Sequence, residues 1–274
     1  MVAVVIPVKN EGESIWDTLK NCIGLNADYI IPVINGCIDN SKEIILSHPN
    51  KNNIKLLEFS EALGIDVPRA AGAALAYKLG CQVVLFLDGD MKGEITHHLL
   101  KLIQAVRFDS IDMALTNCYP YISNRPYLAH TVLRYRERLN KKLGLFNQLG
   151  LANPSHGPHA VSRRLLESVP WSALAVPPLS LAMASIDKLN IQVGTAVAHN
   201  LLQSSARNDY HSLHIAETII GDCLTALNYL EGKPLSREEN GIYYLGYHPE
   251  RRFDVLEEYV KSLGLKDKAV TSDL

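Results

Sequence analysis

Over its first 118 residues the chain alternates short apolar runs with amphipathic stretches, and that alternation leaves few folds open. The apolar runs fall at 2–8, 29–35, 54–59, 83–87 and 111–117, each of strand length and rich in β-branched residues. Helical patterns at about 12–23, 40–47, 67–80 and 94–107 lie between them. Consecutive apolar side chains on a strand need cover on both faces, and β-α-β order with right-handed crossovers supplies it. We therefore expect an α/β fold: a mainly parallel, mixed sheet flanked by helices. Asp28, the 49–53 cluster and Gly80 punctuate the elements.

The second half is less regular. Residues 125–145 read as a long basic helix, followed by the turn-rich Asn153-Pro154-Ser155-His156-Gly157-Pro158. Helices are expected at about 163–168, 179–189 and 210–231, with a strand at 191–198 and a polar tail containing Gly232, Pro234, Gly241 and Gly246. Lys and Arg number 27 against 29 Asp and Glu, so no global field draws the chain to nucleic acid. Five cysteines are scattered singly, which reads as reduced thiols rather than disulfides or a zinc site. The apolar start is too short for a signal peptide and lacks a basic leader, and no run approaches the ~18 apolar residues of a membrane span. The expectation is a soluble, cytoplasmic protein.

Chemistry concentrates where strands end. The run 83–87 leads into Asp88-Gly89-Asp90, two carboxylates at the rim where α/β sheets bind ligands. Hard oxygen ligands there suit Mg²⁺ or Mn²⁺ completed by water and phosphate oxygens. Strand one runs into Pro7-Val8-Lys9-Asn10-Glu11-Gly12-Glu13, and strand two ends in Asn35-Gly36-Cys37-Ile38-Asp39-Asn40-Ser41. Each also has a plainer reading as a helix start, with Asn10, Asp39 or Asn40 as a cap. The third loop carries Gly64 to Gly72, where Arg69 either holds a phosphate at a helix opening or lies in solvent beside a close helix–sheet contact.

Taken in order, VVIPVKNEGESI, NGCIDNS, PRAAG and FLDGDM resemble the family 2 nucleotide-sugar glycosyltransferases of the GT-A, Rossmann-like fold, over roughly residues 2–118. The segment 154–170, with Asp187 to Ile191 and Val197-Ala198-His199-Asn200, resembles glucosyl-3-phosphoglycerate synthases. The resemblance implies a nucleotide-sugar-binding half at 1–118, an acceptor-binding half at 119–231 and a C-terminal tail at 232–274. It implies that Pro7, Glu11, Asn35 and Asp39 hold the nucleotide with Arg69, that Asp88 faces ribose or sugar, and that Asp90 and His199 hold the metal. A structural histidine capping a strand is the plainer reading of His199. Ser155 would place the acceptor, with His156, Gly157, Arg163, Arg207 and His211 around its anionic group.

Departures from the pattern bear on mechanism. Pro177-Pro178-Leu179-Ser180 stands where the synthases carry a glutamate, and the acidic pair that supplies the base in inverting relatives is missing from 174–186. Pro68-Arg69 replaces the glycine-lysine of the synthases' third loop. The resulting expectation is a metal-dependent transfer from a UDP- or GDP-sugar to a small, phosphorylated or otherwise polar acceptor, with retention favoured. A non-catalytic nucleotide-sugar binder and a nucleotidyltransferase stand as alternatives, although 7–13 lacks the glycine-rich loop of the latter. The basic helix reads as a solvated face rather than an acceptor or lipid contact. Tyr243, Tyr244, Tyr247 and Phe253 are expected to cover the domain or a homodimer contact rather than to form a lid.

Overall fold

The computed structural model describes residues 1–49, 51–121, 126–205 and 208–267. Its main strands are β1 (Val2–Val8), β2 (Tyr29–Asn35), β3 (Leu57–Phe59), β4 (Val83–Phe86), β5 (Met113–Asn117), β6 (His159–Ser162) and β7 (Ile191–Ala196). They form one seven-stranded sheet in the order β3-β2-β1-β4-β6-β5-β7. All neighbours are parallel except β6, which runs against both β4 and β5. The helices are α1 (Ile15–Cys22), α2 (Ser41–Ser47), α3 (Val67–Lys78), α4 (Thr96–Phe108), α5 (Tyr127–Lys142), α6 (Phe146–Leu149), α7 (Arg163–Ser168), α8 (Trp171–Leu174), α9 (Pro177–Ile186), α10 (Asp209–Leu230) and α11 (Phe253–Ser262). The expected α/β architecture, with a helical C-terminal extension, is what the chain adopts.

Continuous apolar strands arise because the sheet is covered twice. Val2, Val4, Ile6 and Val8 of β1 join Val83 and Leu85 of β4 in a core with α1 and α4. Ala3 and Val5, with Val84 and Phe86, face the opposite core under α3, α9 and α10. Close approach of α3 depends on Gly72, since a Cβ there would lie 2.4 Å from Val5 Cγ1. No described helix is long and apolar enough to cross a membrane.

The differences from expectation have local causes. Only Leu57–Phe59 pairs as a strand from the run 54–59, with Ile54 making an isolated bridge to Ile30. Strand β6 falls between the turn-rich 153–158 and the expected helix at about 163, where no element was expected, because four residues ending in a serine show no alternation long enough to register. The tail holds a small hairpin, β8 (Glu238–Glu239) with β9 (Ile242–Tyr243), and the unexpected α11. Leu256 and Val260 at i, i+4 bury α11 in the core, and Tyr259 meets Phe59 edge-on. The basic helix is α5, and Arg125, expected at its start, lies outside the described residues.

One core residue makes stability depend on pH. His159 is buried against the Phe86 ring, with Nδ1 3.5 Å from the Gly157 carbonyl oxygen. Burial, then the nearby Arg69 charge, pushes its pKa down to about 3 from 6.5. A depressed histidine pKa means that the unfolded chain takes up the proton first, so stability falls as pH drops from about 6.5 towards 3. Between pH 7 and 5 the loss should be about 2 kcal/mol in chemical denaturation. H159Q should flatten that part of the acid slope, whatever its effect at pH 7.

Candidate functional site

Because β1, β2, β4, β5 and β7 share a direction, their carboxyl ends open on one rim, and antiparallel β6 enters from it. Strand β4 hands over to the Asp88-Gly89-Asp90 turn after the Leu87 N–H bonds the Val5 carbonyl. Gly89 is required by close approach, since a Cβ there would meet the Pro7 carbonyl oxygen at 2.8 Å. The Thr18 hydroxyl donates to the Gly89 carbonyl at 2.9 Å and fixes the turn from below.

The two sequence-predicted metal ligands stand on loops bound to each other. Gly93, three residues past Asp90, donates its N–H to the Leu202 carbonyl at 3.0 Å, and His199 donates its own to the Cys118 carbonyl at 3.0 Å. A Cβ on Gly93 would sit 1.9 Å from the Leu201 carbonyl oxygen. The donor set, one carboxylate and one imidazole, fits Mg²⁺ or Mn²⁺ that keeps its other positions for phosphate and water. Among the described residues no three His, Cys, Asp or Glu side chains form a ready cage.

The first two loops are stitched into one cradle by Asp39. Its Oδ2 accepts from the Gly12 N–H at 2.9 Å, and its Oδ1 from the Ser41 hydroxyl at 2.6 Å and N–H at 3.1 Å. Ser41 Oγ in turn accepts from the Glu11 N–H at 2.8 Å. Burial opposes ionisation of Asp39, but the Ser41 and Gly12 hydrogen bonds outweigh it and hold the pKa low. Glu11 takes the Ser14 hydroxyl on Oε2, and Pro7 is half-buried at the end of β1. Asn35 behaves differently from its expected role. Its amide is buried, donating to the Gly64 carbonyl and accepting from the Leu63 N–H, so it braces the loop after β3 instead of facing a ligand.

Arg69 also differs. Expected to grip a phosphate, it is buried with Nη1 on Asp66 at 2.8 Å and Nη2 on Asp88 at 2.6 Å. Burial works against its charge, yet Asp88 and Asp66 prevail and raise its pKa. Its fork is occupied by carboxylates, so its action reaches the rim through Asp88.

On the acceptor side Ser155, His156, Gly157 and His199 come together. His156 Nε2 lies 3.1 Å from His199 Nδ1, and the Tyr119 ring stacks on His156. Gly157 has φ +76° and abuts Cys118 Sγ, so the turn admits no side chain there. One expected acceptor residue stands elsewhere. Arg163 is at the opposite rim, its N–H on the Gln82 carbonyl and its guanidinium 3.8 Å above the Tyr77 ring, because antiparallel β6 carries the chain away from the site. His211 opens α10 and meets the Tyr247 hydroxyl of the tail at 2.9 Å. Arg207 lies outside the described residues.

The residue that the sequence reading passed over is Arg136. It is 2% exposed, and Nε meets Ser155 Oγ at 3.2 Å, but it pairs with no carboxylate among the described residues. Its neighbours Glu137 and Lys141 pair on the surface as expected. The missed signal was register: Arg136 lies on the stripe of Val132, Leu133, Leu139 and Asn140 that α5 buries. Nearby, Asn153 Nδ2 is buried with no partner among the described residues. Burial, then the Arg136 charge, holds His156 and His199 below the ordinary histidine range, keeping both imidazoles neutral and able to ligate.

A family model described as Glycosyl transferase family 2 matches residues 3–169. Similar solved structures include glucosyl-3-phosphoglycerate synthase from Mycobacterium tuberculosis with Mn²⁺, UDP-glucose and phosphoglyceric acid, at TM-score 0.60 and 16% identity over 86% of this chain and 82% of that one. The same enzyme with Mg²⁺ and UDP gives TM-score 0.57 and 16% identity over 86% and 81%. Likeness at that identity is one of fold. No curated protein matches the sequence.

The contact between the Asp90 and His199 loops makes a direct prediction. G93A should force them apart at a cost of about 1–3 kcal/mol. It should also weaken Mn²⁺–nucleotide binding measured by electron paramagnetic resonance, while far-ultraviolet circular dichroism stays native.

Proposed function

The chain belongs to glycosyl transferase family 2 and is a glycosyltransferase, and we propose that it moves a sugar from a UDP- or GDP-activated donor to a small anionic acceptor with Mg²⁺ or Mn²⁺. The observation that carries this reading is the joined rim: the Asp39 cradle, the Asp88–Asp90 turn and the His199 segment, the last two tied by the Gly93–Leu202 hydrogen bond. The structural neighbours hold UDP or UDP-glucose, Mn²⁺ or Mg²⁺, and phosphoglyceric acid, which supports the same ligand classes here. Residues 1–118 would serve the donor and 119–231 the acceptor.

Asp90 and His199 would hold the cation, whose Lewis acidity stabilises the charge that develops on the leaving diphosphate. The cradle of Glu11 and Asp39 receives the nucleobase beside Pro7. Asp88 has Oδ1 fixed by Arg69 and its side chain 37% exposed, which suits it to orient a ribose or sugar hydroxyl. The acceptor's anionic group would complete Arg136 and Asn153 and lie along the Ser155–Gly157 turn with His156. Holding its hydroxyl against the anomeric carbon is a positioning effect, which lowers the barrier without a covalent step on the protein. Pro177, Pro178, Leu179 and Ser180 are buried at the start of α9, so that segment presents no base at the rim, in keeping with retention.

A thermal-shift panel tests the reading. UDP or GDP at about 100 times its dissociation constant should stabilise the protein by about 2.7 kcal/mol, and only with Mg²⁺ or Mn²⁺ present. D90N should abolish the metal-dependent part. Absence of any metal-dependent nucleotide shift in the unaltered protein would overturn the proposal. With phosphorylated acceptors, R136K should raise the acceptor KM at least tenfold with little change in donor KM. Equal turnover of neutral and anionic acceptors would remove the anionic assignment.

A further inference from the structure

Asp88 is the open end of a line of alternating charges that runs into the C-terminal tail. Arg69 bridges Asp88 and Asp66, and Arg251 bridges Asp66, at 3.2 Å, to both oxygens of Asp222, at 2.7 and 2.8 Å. Arg237 closes the line on Asp222 and on the Thr218 and Tyr244 carbonyls. Three aspartates and three arginines thus balance, and every member is largely buried except Asp88.

From this geometry we infer that Arg251, acting through Asp66 and Arg69, is a positioning residue for Asp88, so that the tail sets the donor site.

The backbone is built to hold this contact. Asp66 adopts φ +63°, a conformation that disfavours a side chain, yet a carboxylate stands there and reaches two arginines at once. The tail is seated on the same loop. A Cβ on Gly64 would strike the Glu250 carbonyl at 2.4 Å, the Arg252 N–H bonds the Leu63 carbonyl at 2.9 Å, and Arg251 Nε donates to the Ile65 carbonyl at 3.3 Å. Burial raises the Asp66 pKa against the pull of Arg69 and Arg251. Loss of Arg251 would therefore favour a protonated Asp66 that releases Arg69, whose buried Nε has no partner of its own. Arg251 lies beyond residues 3–169 that the family model covers.

The inference rests on Asp88 facing the donor, and the test separates the two. UDP binding with Mn²⁺ is titrated calorimetrically at a temperature where circular dichroism shows each variant folded. R251M should bind about tenfold more weakly, R251K should recover part of the loss, and D66N, which keeps the shape at Asp66, should weaken binding like R251M. V260A loosens α11 without touching the ion pairs, and it should lower the melting temperature while leaving UDP affinity unchanged. Unchanged affinity in D66N, or an equal loss in V260A, overturns the inference; if R251M does not fold, D66N decides. An unaltered protein that binds neither UDP nor GDP would instead remove the donor reading itself.

Discussion

Strand β6 runs against both of its neighbours, and its register, Phe86 opposite His159 and Val83 opposite Ser162, decides which residues can reach the rim. Entering from the site side, it delivers Ser155, His156 and Gly157 beside the carboxyl ends of β4 and β5. Four residues later it has carried Arg163 to the far edge of the sheet. Had this strand been parallel, the turn before it would have stood at the opposite rim, away from Asp90 and His199. Pairing direction here does what a sequence motif cannot: it sorts neighbouring residues into site and scaffold.

Two buried arginines show how differently the fold treats charge. Arg251 is wrapped by Asp66 and Asp222, and removing one partner of such a pair typically costs about 3–5 kcal/mol because the other charge is stranded. Among the described residues, Arg136 has only the Ser155 hydroxyl and carbonyl as polar partners. A guanidinium left that way carries a desolvation penalty of several kcal/mol that an incoming anion would offset. The paired arginine belongs to the scaffold; the one without a carboxylate is the one proposed to take an anion. That contrast is what separates the acceptor side from the ion-pair line on the donor side.

The first half of the sheet was largely legible because strand ends are marked twice, by apolar runs that stop and by glycine or aspartate that follows. Asp88-Gly89-Asp90 and the Gly36 loop were read that way, and the structure adds that Gly89 and Gly36 are demanded by backbone contacts with Pro7 and Ala62. For Asn35 and Arg69 the missing information was tertiary. Asn35 resembles a rim ligand by position, yet its amide turns inward to Leu63 and Gly64. Arg69 resembles a phosphate anchor until Asp66 and Asp88 occupy its fork. Arg136 was hidden among surface charges, although helical register alone would have placed it on the buried stripe. Helix α11 was overlooked although Phe253, Leu256 and Val260 recur at i, i+3 and i+7.

Rigidity is distributed unevenly across the rim, and function follows that distribution. In the nucleobase cradle the polar groups already satisfy one another: Asp39 is held by Gly12 and Ser41, and Asn10 Oδ1 takes the Ile38 N–H. A ligand meeting such a surface finds donors and acceptors fixed in place and loses little further entropy in ordering them. The proposed acceptor side keeps Arg136, without a carboxylate partner among the described residues, and the buried Asn153 amide, whose Nδ2 has no partner among them, around a turn that Gly157 holds at φ +76°. Asp88 lies between these regimes, exposed on one side and anchored through Arg69 on the other. On the proposed reading Asp88 orients a sugar beside a cation and has to resist its pull, and a line of buried ion pairs would supply that resistance without adding net charge to the site.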